Sequence, residues 1–432
     1  MVTSTYDDSD RLTSIAASRG TTTLYRFEYD YTKPSSGNPD TALRYRVTDE
    51  QGSVTAYTYD ALNRLTNART TGAGGSLLRE YTYDYDGSGN RTRQQVTVGA
   101  VVQVDNLTYN AANQLIEFNG EHLSYDGRGN LTGSDLGAEF VYNAANQTMS
   151  IDPRPGTGVK AKFEYRGTGQ SERIAAGTVN EEAGTGSDVC VPGFSCLVDP
   201  SRTVADSTFL YSLLGITRES AGGIVNGYYT RDLNGGLLAA RLPAQRLFYL
   251  HDGLGSVVAV TDVTGTTVAE YDYDPFGNTI LETGPQAAAN PWRFTGAYLD
   301  PTGLYKIGER YYDPLLGRWT QQDPIINLLD PRNWNRYAYV GNDPINYRDP
   351  SGLSGCSGWD LVGALFGIEA AFLPAEAAHF ATGAALTGSG IYSAAKILGP
   401  AGRAALKGGF GALGIVITAA VIVPWVRRGC PR

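Results

Sequence analysis

The feature that most constrains this chain is a short unit that returns along it. The unit reads Tyr, then Asp or Asn, two small or polar residues, then Asn, Asp or Gly, often with Leu two positions later. Copies are Tyr6-Asp-Asp-Ser-Asp-Arg-Leu12, Tyr59-Asp-Ala-Leu-Asn-Arg-Leu65, Tyr109-Asn-Ala-Ala-Asn-Gln-Leu115 and Tyr125-Asp-Gly-Arg-Gly-Asn-Leu131, with weaker ones beginning at Tyr85, Tyr142 and Tyr165. The flanks alternate, so that Tyr25, Phe27, Tyr29 and Tyr31 share one strand face, as do Tyr81, Tyr83 and Tyr85. Each unit is therefore predicted to be a strand running into a turn. Asp and Asn bond their own backbone two residues on, and Gly or Asn supplies the positive φ that a tight hairpin requires. The Tyr ends the strand with a broad apolar ring and a hydroxyl that stays hydrated or caps the turn. Repetition at roughly 16 to 24 residues stacks each hairpin on its neighbour, as in solenoid arrays, and predicts a long curling sheet. The repeated Tyr and Asp residues are read as scaffold rather than as a binding surface.

Composition agrees with an all-β fold. The 53 Gly and 28 Tyr, against 2 Met and 3 His, are turn formers and strand-favouring aromatics. A length of 432 residues fits two to four domains or one large all-β unit with a sizeable core. The 35 basic and 44 acidic side chains give a net charge of -9, which opposes general attraction to phosphate backbones, so no nucleic-acid partner is expected. Cys190, Cys196, Cys356 and Cys430 lack zinc-ligand spacing. Cys190 and Cys196 are left as either a loop-spanning bridge or free thiols, and both lie in an acidic stretch, Thr178 to Thr203, read as a surface insertion. His122 and His379 have no metal-binding context, and His251-Asp-Gly-Leu-Gly-Ser256 has neither EF-hand nor phosphate-loop spacing. No metal or cofactor is implied. The start lacks a signal-peptide pattern and Tyr6-Asp7 already belongs to the repeat. The expectation is an N-terminally incomplete protein.

From Tyr271 to Leu353 the periodic text becomes denser. It holds Tyr273-Asp-Pro-Phe-Gly277, Trp292-Arg-Phe-Thr-Gly296, Arg310-Tyr-Tyr-Asp-Pro314, Gly317-Arg-Trp319, Gln322-Asp-Pro324, Asn335-Arg-Tyr-Ala-Tyr339, Asn342-Asp-Pro344 and Asp349-Pro-Ser-Gly-Leu353. With the Tyr-Asp units before it, this order of blocks resembles the RHS repeat-associated core of the RHS/YD-repeat proteins, relatives of the Tc toxin C component and of the teneurin shell. The resemblance implies a spiralling β-hairpin shell over 1–270, a core forming a C-terminal plug over 271–353, and an enclosed variable polypeptide over 354–432. It further implies an aspartic-type self-cleaving element that cuts between Leu353 and Ser354. The matching motif positions are Arg310, Asp323 and Asp349, with Asp343 as a substitute for either acid.

The chemistry fits independently of the resemblance, because two carboxylates sharing one proton supply both the base that activates water and the acid that protonates the leaving amine. Arg310 is expected to hold one carboxylate ionised or to polarise the Leu353 carbonyl. Gly352 would let the backbone approach the carboxylates closely, and Pro350 would limit the freedom of the strand presenting the bond. Against this stands a plain reading: six Asp-Pro pairs lie between Asp300 and Pro350, and Asp-Pro is common turn chemistry. Trp292, Trp319 and Trp334 are read as core aromatics.

After Leu353 the composition turns to Ala, Gly and Leu, the switch expected at a domain boundary. This short tail is read as mainly helical and hydrophobic. Gly408 to Val426 carries no formal charge over 19 residues, between Lys407 and Arg427-Arg428, which is close to the minimum for crossing a bilayer. Membrane contact through 408–426, a helix kept buried until release, and a truncated effector all stay open. No nuclease-like cluster is present in the tail sequence. Two functions are carried forward. One is a polymorphic-toxin carrier that encloses and cuts off its own tail, with an immunity protein and a secretion-system component as partners. The other is a non-catalytic surface or adhesion scaffold anchored by that tail. Either is placed outside the cell or at its surface, by a route without a signal peptide or encoded in a missing N-terminal part.

Overall fold

Asp60 shows how the repeated unit folds. In the computed structural model its Oδ1 accepts the N–H groups of Leu62 and Arg64, both at 2.9 Å. The backbone N–H of Asn63 donates to the Asp60 carbonyl at 3.0 Å, with Asn63 at φ 62°. The same side-chain oxygen takes the same two donors at Asp7, Asp86, Asn110, Asp126, Asn143 and Asp274. Only a short acceptor one methylene from the backbone can reach both N–H groups, which is why the unit uses Asp or Asn and not Glu. Neighbouring turns are then laced together: Asn90 Nδ2 donates to Asn113 Oδ1 at 2.9 Å, and Asn130 Nδ2 to Asn146 Oδ1 at 2.7 Å.

The repeated Tyr links one unit to the one before it. Tyr31, Tyr85, Tyr109, Tyr142 and Tyr273 donate their hydroxyls to the carbonyls of Leu12, Leu65, Arg91, Leu131 and Val257, at 2.7 to 3.0 Å. Each acceptor is the residue where the strand resumes after the preceding turn. Burial pushes the hydroxyl pKa up at Tyr85, Tyr109, Tyr142 and Tyr273, so these four remain protonated donors. The strand register shifts at the Tyr itself, for example between Thr58 and Tyr59 and between Asp84 and Tyr85, and such bulges sharpen the local twist.

The structure describes residues 1–34, 42–153, 160–179, 203–212, 215–232, 235–325 and 334–353. Among these, strands β1 (Val2–Tyr6) to β24 (Thr279–Thr283) form a sheet in which each strand pairs antiparallel with the next. The fold of the described residues is all-β and antiparallel. Strand β16 (Arg173–Val179) pairs directly with β17 (Thr203–Ser212), so the stretch between them interrupts the sequence and not the sheet. The Tyr273–Gly277 block is a turn of this wall, and His251–Ser256 is another turn of the Asp60 kind.

The wall curls until distant strands meet. Tyr25 donates to the His251 carbonyl at 3.0 Å, the Gly253 N–H to the Tyr29 hydroxyl at 2.7 Å, and Arg79 pairs with Asp272 at 2.6 Å. Against the wall lies a second sheet of β25 (Tyr298–Leu299), β26 (Tyr305–Ile307), β27 (Arg310–Asp313) and β28 (Arg318–Trp319). Alternation sorts its side chains: Tyr311 joins Leu304, Leu316 and the wall residues Leu123, Phe140 and Phe163, while Tyr312 packs with Phe294, Trp319 and Tyr339. Trp292 and Trp319 are core aromatics as expected. Trp334 is 61% exposed, a correction to the sequence reading: its neighbours Asn335 and Tyr337 take the inward positions instead.

A fully buried ion pair, Arg173 Nη1 to Asp300 Oδ2 at 2.6 Å, fastens the second sheet to the wall. Asp300→Ala strands this guanidinium and is expected to lower stability by about 3–5 kcal/mol. Tyr85→Phe removes a single hydroxyl link and is expected to cost about 1–2 kcal/mol. Chemical denaturation of the two variants should return that order; equal losses would mean that the sheets are not joined in this way.

Candidate functional site

The site is built on the hairpin between β26 and β27 and on the turn Asp349–Leu353. The N–H of Glu309 donates to the Ser351 carbonyl at 2.9 Å. A Cβ on Gly308 would overlap that same carbonyl, and one on Gly352, where φ is 64°, would overlap the Ile307 carbonyl. The two glycines allow two backbones to touch. Gly352 thus serves a close approach as expected, but the partner is the Ile307–Arg310 backbone and not the carboxylates.

Arg310, the first residue of β27, stands at the centre and is 3% exposed. Its Nη2 donates to Asp323 Oδ2 at 2.8 Å and to Asp349 Oδ2 at 3.3 Å. Its Nη1 reaches the Arg336 carbonyl at 3.3 Å, its Nε the Gly352 carbonyl, and its plane lies over the Trp319 ring at 4.0 Å. Planar, forked donors are the property that lets one Arg serve so many acceptors. Of the two roles expected of Arg310, the contact to carboxylates is present at both acids, and its nearby backbone contact is to the Gly352 carbonyl.

The two acids are held differently. Asp349 is 2% exposed, and its Oδ1 accepts the Ser351 hydroxyl at 2.9 Å and the Leu353 N–H at 3.2 Å. Asp323 Oδ1 accepts the Ile325 N–H at 2.8 Å. The Asp323 backbone is clamped in both directions, its N–H donating to the Arg336 carbonyl at 2.9 Å and its carbonyl accepting Arg336 Nε at 2.7 Å. Burial pushes the Asp323 carboxyl up from 3.8 to about 6; the neighbouring Arg310 and Arg336 oppose the rise, and the Asp349 charge adds to it. Arg310 is itself pulled below its usual value by burial, against the pull of both carboxylates. The Asp323 carboxyl therefore keeps its proton up to about pH 6, well above the ordinary carboxylate range.

Arg310, Asp323 and Asp349 are brought together, and Leu353 is tied to Asp349. Asp343 is placed elsewhere: it is buried, accepts Asn346 Nδ2 at 2.7 Å, and its charge adds to the rise that burial imposes on the Tyr59 hydroxyl in the wall. Ser354, the four cysteines, His379 and 408–426 lie outside the described residues. Among the described residues no helix is long and apolar enough to cross a membrane. Sequence reasoning missed three supporting groups: Trp319 as a platform for Arg310, Arg336 as the clamp on Asp323, and Ser351 as a donor to Asp349. Ser351 alone carried a local signal, standing two residues after an Asp in a turn.

This wall of Tyr-Asp hairpins, carrying a small sheet with a buried Arg and two Asp side chains, defines a class. The model of the teneurin YD-shell family matches residues 226–345, and that of the RHS repeat matches 46–77. The tRNA3(Ser)-specific nuclease WapA of Bacillus spizizenii is 30% identical over 300 residues, covering 68% of this chain and 12% of its own length. Toxin subunit YenC1 of Yersinia entomophaga is 36% identical over 112 residues, 25% of this chain and 11% of its own. The crystal structure of TcdB2-TccC3-Cdc42 matches in fold with a TM-score of 0.63, at 19% identity, over 82% of this chain and 18% of that one. The chain belongs to the RHS/YD-repeat proteins. It spans about an eighth of the WapA relative.

Because the folded value of Asp323 lies above its ordinary 3.8, the folded protein binds this proton more tightly than the unfolded chain. Its contribution to stability is complete below about pH 4 and is lost as pH rises through about 6. The pH dependence of unfolding should lose this slope in Asp323→Asn; an unchanged slope would contradict the assignment.

Proposed function

We propose that this chain is the carrier part of an RHS-family toxin, a β-shell closed by its core plug that encloses the polypeptide after Leu353 and releases it by self-cleavage. The reading is carried by one observation, the shared Arg310 Nη2 that gathers Asp323 and Asp349 beside the turn ending at Leu353. Kinship with WapA and with a Tc toxin subunit supports the carrier role; what those names say of tRNA is said of those proteins. The tail from 354 onward is the cargo, with an immunity protein and a secretion-system component as partners and membrane contact through 408–426. The protein acts after export.

In this mechanism Asp349 is the base. It takes a proton from a water molecule that attacks the Leu353 carbonyl carbon, while protonated Asp323 gives its proton to the Ser354 nitrogen as the C–N bond breaks. The products are a Leu353 carboxylate and a Ser354 amine. Arg310 fixes the distance between the acids and compensates the charge that moves between them. Holding the bond within the same folded unit removes much of the entropic barrier.

Intact-mass measurement of the purified chain tests this. Wild type should give fragments broken at Leu353-Ser354, and Asp323→Asn and Asp349→Asn should each remain whole. The rate in wild type should fall as pH rises through about 6, where Asp323 loses its proton. A wild-type chain that stays intact under native conditions would favour the non-catalytic adhesion scaffold.

A further inference from the structure

The two segments that carry Arg310 and Asp323 are not joined to each other alone; both are tied to one residue of the wall. Gln170 lies in the loop after β15 (Ala161–Tyr165) and is 5% exposed. Its Nε2 donates to the Glu309 carbonyl at 3.0 Å and to Gln321 Oε1 at 2.8 Å, and its Oε1 accepts the Thr148 N–H at 2.8 Å. Glu309 adjoins Arg310 in sequence, and Gln321 stands two residues before Asp323. The contact is reciprocal, since Glu309 Oε2 accepts the N–H groups of Gln170 at 2.5 Å and Ser171 at 3.2 Å. Gln321 Nε2 in turn donates to the Asn146 carbonyl at 3.0 Å, inside another wall turn.

We propose that Gln170 and Glu309 are positioning residues for the cleavage, setting the separation of Arg310 and Asp323 by holding both carrier segments to the wall. The inference rests on the self-cleavage reading above. Its physical basis is that every polar atom of the Gln170 side chain is engaged, so the link has one geometry and no slack. A consequence follows for the order of events. The Arg310 strand and the Asp323 segment are already joined directly, by the Thr320 N–H to the Tyr311 carbonyl and by Arg310 to Asp323. The wall loop at 166–172 adds the tie that fixes their separation, so cleavage reaches its full rate only after this part of the wall has formed.

The test uses the full chain and follows cleavage over a range of pH. Gln170→Ala and Glu309→Ala should slow cleavage roughly 10- to 100-fold, the scale of a small misplacement of reacting groups. In both, the fall in rate should move from about pH 6 toward the ordinary carboxylate range, because loosening admits water to Asp323. Glu309→Gln should restore rate and profile, since an amide oxygen can accept the same two N–H groups. Asn290→Ala is the control for lost stability alone: it removes an equally buried polar residue that bonds Tyr249, Tyr271 and Trp292 and touches neither carrier segment. Should Gln170→Ala cleave at the wild-type rate with the wild-type profile, or should Asn290→Ala slow and shift it equally, the positioning role is overturned while self-cleavage stands. A wild-type chain that does not cleave overturns both.

Discussion

A guanidinium buried beside two carboxylates is the constraint around which the candidate site is organised. Taking one positive and two negative groups out of water is unfavourable unless geometry and hydrogen bonding compensate. Here compensation comes from saturation: the Arg310 nitrogens reach Asp323, Asp349 and the carbonyls of Arg336 and Gly352, with its flat face against Trp319. Below about pH 6 the remaining negative charge is relieved by a proton on Asp323, whose affinity burial raises. The contacts that stabilise this cluster are also those that set the proton affinity of Asp323.

The wall supplies the rigidity that such a cluster needs. Its stiffness is distributed, because each turn satisfies its own backbone through an Asp or Asn side chain and each Tyr hydroxyl reaches back to the preceding unit. No single link dominates, and long-range contacts such as Tyr25 to His251 and Arg173 to Asp300 convert a string of local hairpins into one frame. Loops on rigid scaffolds are where function is usually placed, and the loop holding Gln170 fits that logic.

The wall was legible in the sequence because its unit is local. Tyr59 to Leu65 contains the acceptor, the left-handed residue and the aromatic that the turn requires, all within a few positions. The convergence of Arg310, Asp323 and Asp349 was legible through family resemblance and not through spacing, since any Asp-Pro pair could have been a turn. The rest was hidden because it depends on contacts distant in sequence: Glu309 with Gln170, Arg336 with the backbone of Asp323, and Asp343 with Asn346 near Tyr59. Trp334 failed for a related reason, as a large aromatic's burial is decided by which of its neighbours turns inward.

The central claim is that paired acids activate water against the Leu353 carbonyl, and isotopic labelling addresses it directly. Folding the chain in heavy-oxygen water and weighing the N-terminal fragment should reveal one heavy oxygen in a new carboxyl group on Leu353. A fragment ending elsewhere, or one ending at Leu353 without the label, would contradict the account.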